Sequence, residues 1–173
     1  ETGIRDWAML VRLGKYLKGR ERYVQKYGYQ MSTAADSNKY VNVWVDTDWA
    51  GCPETRRSTS GGVVMLNHHP IKDWSVTQTV ISTSSAEAEY YGMARGASIG
   101  IGIVNLMADL GVERKLRIRT DASAAKSIST RRGTGKVRHL EVATLWLQDK
   151  VARGLLETEK VRAKVHLAFM CEL

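Results

Sequence analysis

Apolar and polar positions along this chain follow two rhythms, and the rhythm changes once. Apolar residues at 7, 10, 11, 13 and 17, closed by Gly19, have the spacing of a helix with a glycine at its end. The polar stretch from Tyr23 to Asn38 reads as one weak strand and a loop. Val41 to Asp46 is rich in β-branched residues and predicts a strand. Thr47 to Gly61 has the Gly, Pro and Ser content of a loop. Gly62 to Leu66 and Ile71 to Val76 predict two more strands, joined as a hairpin by Asn67-His68-His69-Pro70. Three sequential strands with such short links form an antiparallel meander.

From Ser84 the spacing turns helical. Ser84-Ser85-Ala86-Glu87 fits a capping box, in which the serine hydroxyl accepts from an amide three residues on and the glutamate reaches back. A long helix follows to about Leu110, ended by Gly111. Gly92, Gly96 and Gly100 recur on one stripe with Ala88, and each glycine costs ~1 kcal/mol against alanine in a helix. A helix or sheet packed closely on that stripe is the expected reason. Lys115 to Asp121 predicts a strand with Leu116, Ile118 and Thr120 on one face. Ala122 to Thr130 predicts a short helix, Arg131 to Arg138 a basic loop, Leu140 to Ala152 an amphipathic helix ended by Gly154, and Leu155 to Val161 a last strand. After the first helix the order is β-β-β-α-β-α-α-β. That order implies an α/β fold, in which a helical crossover adds parallel strands to the meander and helices flank a mixed five-stranded sheet.

Composition narrows the class. At 173 residues, with 43% hydrophobic and 25% charged residues, the chain can bury a core without disulfides. No apolar run approaches the ~18–20 residues that cross a bilayer, so no membrane partner is expected. Two cysteines, Cys52 and Cys171, exclude a disulfide framework and a four-thiolate zinc site, and a reducing, cytoplasmic setting is expected. His68-His69 lacks companion ligands and suggests no zinc site. The chain begins ETGIRDW, which is no signal peptide and has no initiating Met, so a piece of a longer protein is expected. The net charge of +8 favours a polyanionic partner.

The chemistry lies in the carboxylates. Asp46 ends the first predicted strand and Asp121 the fourth, so neighbouring strands would set the two side by side. Glu87 or Glu89 lies in the first turns of the crossover helix. Gathered carboxylates repel unless a cation neutralises them. Mg²⁺ takes oxygen ligands and completes its shell with water and phosphate oxygens.

Four segments in this order carry a resemblance: Asp46-Thr-Asp-Trp-Ala-Gly51, Arg56-Arg-Ser-Thr-Ser-Gly61, Ser84-Ser-Ala-Glu-Ala-Glu-Tyr90 and Thr120-Asp-Ala-Ser-Ala124. From about residue 40 to about 160 the chain resembles the ribonuclease H domain of copia-type retrotransposon polyproteins. Residues 39–173 would be that domain. Residues 1–38, with Trp7 and Tyr16-Leu-Lys-Gly19, resemble the end of the preceding reverse transcriptase region. The resemblance implies a ribonuclease H fold that hydrolyses the RNA strand of an RNA–DNA hybrid with two Mg²⁺ ions, which Mn²⁺ can replace. The reverse transcriptase of the same polyprotein would be a partner, and a virus-like particle a setting. Asp46 matches the first-strand aspartate and Asp121 the fourth-strand one. The helix glutamate is Glu87 or Glu89, which project about 200° apart on a helix. Glu89 is preferred, because a capping box with Ser84 occupies Glu87. The family's fourth carboxylate follows the last strand, and Glu172 is the only acid in the tail from Val161, which departs from the family pattern.

Several groups are candidates for holding nucleic acid. Lys126, Arg131, Arg132, Lys136 and Arg138 occur without an intervening acid, and His139 follows them as a possible proton shuttle. Arg56, Arg57, Ser58, Thr59 and Ser60 form a second set, suited to a phosphate or a 2′-hydroxyl. Ser82, Thr83, Ser84 and Ser85 at the helix start form a third. Trp44, Trp49, Trp74 and Trp146 are expected in or near the core, with stacking of a base on Trp49 or Tyr90 as the less favoured reading. Two readings compete with the nuclease. One is a catalytically degenerate domain that binds nucleic acid or supports reverse transcriptase without cutting. The other is a DNA-cutting enzyme on the same fold.

Overall fold

The structure, a computed structural model, describes residues 3–19, 27–28, 39–133 and 145–162. The chain divides into two compact units, Glu1–Met31 and Ser32–Leu173. In the first, α1 spans Ile4–Lys18, with Asp6 accepting from the Gly3 amide at its start and Gly19 at its end. Trp7, Leu10, Leu13 and Leu17 on this helix are exposed. The predicted segment between Tyr23 and Asn38 lies outside the described residues except for 27–28.

The second unit holds β1 (Tyr40–Asp48), β2 (Thr59–Leu66), β3 (His69–Thr77), α2 (Ser85–Asp109), β4 (Lys115–Thr120), α3 (Ser123–Thr130), α4 (Trp146–Ala152) and β5 (Leu156–Lys160). The strands form one sheet in the order β3-β2-β1-β4-β5. β1 to β3 pair antiparallel as the expected meander, while β4 joins β1, and β5 joins β4, in parallel. The predicted helix from Leu140 is described only from Trp146, because residues 134–144 lie outside the described set.

Consecutive residues of β1 serve opposite faces of the sheet. Val41, Val43 and Val45 enter the main core with Tyr90, Met93, Leu116, Ile118, Leu147 and Leu156, whereas Trp44 joins Val63 and Met65 in a separate cluster. The glycine stripe of α2 seats that helix on β1. A Cβ added at Gly96 would lie 2.5 Å from Val45 Cγ1, and one at Gly92 would lie 2.5 Å from Thr47 Oγ1. Gly100 faces Leu116 and Val43 in the same way. The helix closes with a Schellman turn. Gly111, at φ 78°, donates to the Ala108 carbonyl and Val112 donates to that of Met107.

Strand ends differ from the sequence reading. β1 runs two residues past Asp46, and β2 begins at Thr59 rather than Gly62, with Asp46↔Gly61, Thr47↔Ser60 and Asp48↔Thr59 in register. Polar residues hid this extension, because Thr47 and Ser60 are buried despite their composition. Only Asn67 and His68 form the hairpin turn, with Asn67 at φ 57°. His69 and Pro70 already pair with β2, and proline is tolerated because β3 is an edge strand.

Candidate active site

Three acids from three elements converge. Asp46 lies on β1, Glu89 in the second turn of α2, and Asp121 directly after β4. One carboxylate oxygen from each lies within 4.8 Å of the others. Parallel pairing of β1 with β4 brings the two aspartates together, and the seat of α2 on β1 delivers the glutamate. Thr120 Oγ1 accepts from the Ala122 amide at 3.1 Å, which bends the chain at Asp121. Asp46 Oδ1 accepts from the Thr47 amide at 2.9 Å.

Glu89 is the most perturbed member. It is buried, and among the described residues Glu89 Oε2 has no hydrogen-bond partner. Burial first, then the charges of Asp46 and Asp121, push its carboxyl up to about 8, while a backbone hydrogen bond from Thr47 acts the other way. An orphaned buried oxygen facing two further carboxylates suits a hard cation with oxygen ligands, so the residues fit a divalent ion such as Mg²⁺ or Mn²⁺.

Glu87 is placed elsewhere. Ser84 caps α2 by accepting from the Glu87 amide at 3.2 Å. The Glu87 carboxylate, however, bonds the amide and the hydroxyl of Thr83, at 2.8 and 2.7 Å, rather than the amide of Ser84. The capping box is therefore shifted by one residue on its return arm.

Among the nucleic-acid candidates, Arg56, Arg57, Ser85 and Arg132 are exposed, and Lys126, Arg131, Thr59 and Ser84 are half-buried. Ser58 is a correction: it is fully buried, and its hydroxyl accepts from the Ala50 amide at 3.1 Å, so it has no surface to offer a ligand. Ser60 and Ser82 are buried as well. Trp49 is also corrected, since it is 48% exposed rather than core, with its indole N–H donating to the Ser82 carbonyl at 3.1 Å. Tyr90 is fully buried and offers no face for stacking. Lys136, Arg138, His139 and Glu172 lie outside the described residues.

Two glutamines that the sequence reading passed over organise the surroundings. Gln148 of α4 donates to the Ile128 and Gly133 carbonyls and accepts from the Gly133 amide, which ties the end of α3 to α4. Gln78, after β3, bonds Ser60, Ser82 and Ala88. Gln78 lies between a strand and a loop, and Gln148 is a polar residue within a short helix, so neither stands out from the spacing of apolar positions.

No family model matches the chain. Among curated proteins it is 36% identical over 109 residues to the retrovirus-related Pol polyprotein from transposon RE2 of Arabidopsis thaliana, covering 62% of this chain and 7% of that protein. It is 30% identical over 131 residues to the corresponding polyprotein from transposon RE1 of the same plant, covering 74% of this chain and 9% of that protein. The chain thus spans less than a tenth of the length of these relatives. Among solved structures it is similar to LC11-RNase H1, isolated from compost by a metagenomic approach, with a TM-score of 0.52 at 17% identity, covering 76% of this chain and 89% of that one. The chain is therefore a sequence relative of the retrovirus-related Pol polyproteins of plant transposons, and its fold is that of ribonuclease H.

Proposed function

We propose that this chain is a divalent-metal-dependent endonuclease that hydrolyses the RNA strand of RNA–DNA hybrids during retrotransposon reverse transcription. One observation carries the reading. Asp46, Glu89 and Asp121 meet within 4.8 Å on a ribonuclease H fold, and the buried Glu89 Oε2 has no hydrogen-bond partner among the described residues. In this reading Asp46, Glu89 and Asp121 hold two Mg²⁺ ions, or Mn²⁺ in their place. When bound, such ions activate water at neutral pH and stabilise the charge that develops on a phosphodiester in hydrolysis.

The protein's own contribution is placement and charge. The Thr47 amide holds Asp46, the bend after Thr120 presents Asp121, and the capped start of α2 presents Glu89. Lys126, Arg131 and Arg132 follow Asp121 in sequence, and Arg56 and Arg57 stand on the loop after β1. Both sets supply sequence-independent attraction for a nucleic-acid backbone, which suits a substrate recognised by shape and by its 2′-hydroxyls. The reverse transcriptase of the same polyprotein is the natural partner, because it makes the hybrid.

The test is hydrolysis of a labelled RNA–DNA hybrid by the purified chain with Mg²⁺ or Mn²⁺. Cleavage of the RNA strand that is lost in Asp46→Asn and in chelator is expected. Hybrid binding without metal-dependent cleavage would overturn the reading in favour of a non-cutting domain. Equal cleavage of duplex DNA would favour a DNA-cutting enzyme.

A further inference from the structure

Gln78 sits just beyond β3, is buried, and touches none of the three carboxylates, yet every hydrogen-bonding group of its side chain is engaged. Its Nε2 donates to the Ala88 carbonyl and to Ser60 Oγ, both at 2.8 Å, and its Oε1 accepts from Ser82 Oγ at 3.0 Å. A carbonyl can only accept, so the Ala88 contact fixes which end of the amide is nitrogen. The Gln78 backbone amide also donates to the Ser58 carbonyl at 2.7 Å. The three residues bonded by its side chain connect toward the site. Ala88 precedes Glu89 in α2. Ser60 pairs across the sheet with Thr47, the neighbour of Asp46. Ser82 accepts the indole N–H of Trp49, on the loop that follows β1.

This arrangement answers a mechanical problem. A cation needs all three carboxyl groups ionised within 4.8 Å of one another, an arrangement that their mutual repulsion opposes. Glu89 rides on the part of α2 that meets β1 through Gly92, against Thr47. A glycine contact allows close approach but supplies no directional bond. Hydrogen bonds are directional, and those of Gln78 join α2, β2 and the loop before α2 at that end of the helix.

We propose that Gln78 is a positioning residue of the active site. Its side-chain amide pins the start of α2 to β2 and so sets the separation of Glu89 from Asp46. The inference rests on the nuclease reading, and its test separates the two. Gln78→Met preserves length and removes every side-chain hydrogen bond, and Ser82→Ala removes one. Both are measured as the full chain at a temperature well below melting. For Gln78→Met, kcat on hybrid is expected to fall by roughly 10–100-fold, with KM within about threefold and Mn²⁺ affinity by calorimetry weaker by about tenfold. Ser82→Ala should show the same pattern at about two- to fivefold, and it decides the matter if Gln78→Met does not fold. A lower melting temperature with kcat and Mn²⁺ affinity unchanged would reduce Gln78 to a structural residue and overturn the proposal. If the wild-type chain neither cuts hybrid nor binds Mn²⁺, the nuclease reading fails. Amide hydrogen exchange at Ala88 to Gly92, compared with the centre of β1, then tests the pinning itself. Selective acceleration in Gln78→Met, or in Ser82→Ala, supports it, and unchanged exchange overturns it.

Discussion

The carboxylate of Glu87 is bonded to both the amide and the hydroxyl of Thr83, at 2.8 and 2.7 Å, while Glu89, two residues on, joins Asp46 and Asp121. One helical turn thus divides two glutamates between a structural and a chemical environment. The substitutions should part accordingly. Glu89→Gln should lower hybrid hydrolysis by at least ~100-fold, more than loss of a supporting partner costs. Glu87→Gln should leave the rate within about threefold and cost about 0.5–1 kcal/mol, through loss of charge at the helix start. Steady-state kinetics beside chemical denaturation checks both halves.

The raised Glu89 carboxyl makes metal-free stability depend on pH in an unusual direction. The unfolded chain releases this proton near 4.5, whereas the folded chain holds it to about 8. Between those values the unfolded state binds fewer protons, so stability is greatest below 4.5 and falls as pH rises toward 8. The loss across that interval should be on the order of 5 kcal/mol, or ~10–20 °C in melting temperature. Glu89→Gln should flatten the profile, and Mn²⁺ should restore stability at pH 8. Because the ion needs the ionised carboxylate, Mn²⁺ affinity should climb up to tenfold per pH unit, roughly, between pH 6 and 8. Melting curves in chelator across that range would show a flat wild-type profile if the carboxyl were unperturbed.

Two glycines of α2 should respond to alanine with opposite sign. A Cβ at Gly96 would lie 2.5 Å from Val45 Cγ1 and 3.1 Å from Val43 Cγ1, so Gly96→Ala must separate helix from sheet and should cost about 1–3 kcal/mol. Among the described residues nothing lies within 4 Å of such a Cβ at Gly102, and Gly102→Ala should add about 0.5–1 kcal/mol through helix propensity. Midpoints of urea unfolding that move the same way for both would contradict the close seat of α2 on β1.

The exposed arginines Arg57, on the loop after β1, and Arg132, after α3, should also separate from the buried Ser58. Arg57→Ala and Arg132→Ala should each weaken hybrid binding and reduce its dependence on log salt concentration by about one. Ser58→Ala leaves the Ala50 amide without its acceptor, so stability should fall by about 1–2 kcal/mol while the salt dependence stays unchanged. Salt titrations of fluorescence anisotropy distinguish the two classes.

Much of the sheet was legible because its information is local. The β-branched run of β1, the alternation Leu116-Ile118-Thr120 and the Ser84 cap each announce themselves within a few residues. Buried polar side chains are where local reading failed. Thr47, Ser58 and Ser60 look like loop residues, but strand pairing and partners far along the chain bury them. Trp49 looks like core, yet its indole N–H is anchored at Ser82 with nearly half its surface exposed.

By itself the sequence determined the order of the elements, the hand-over from meander to helical crossover, and the acids available to meet. Only the tertiary structure decided which helix glutamate meets the aspartates, how far each strand runs, and that Gln78 ties α2 to β2. The reason is physical. Periodicity and capping arise from bonds within a few residues, whereas convergence of Asp46, Glu89 and Asp121 depends on parallel pairing and on the depth at which a glycine stripe lets one helix sink.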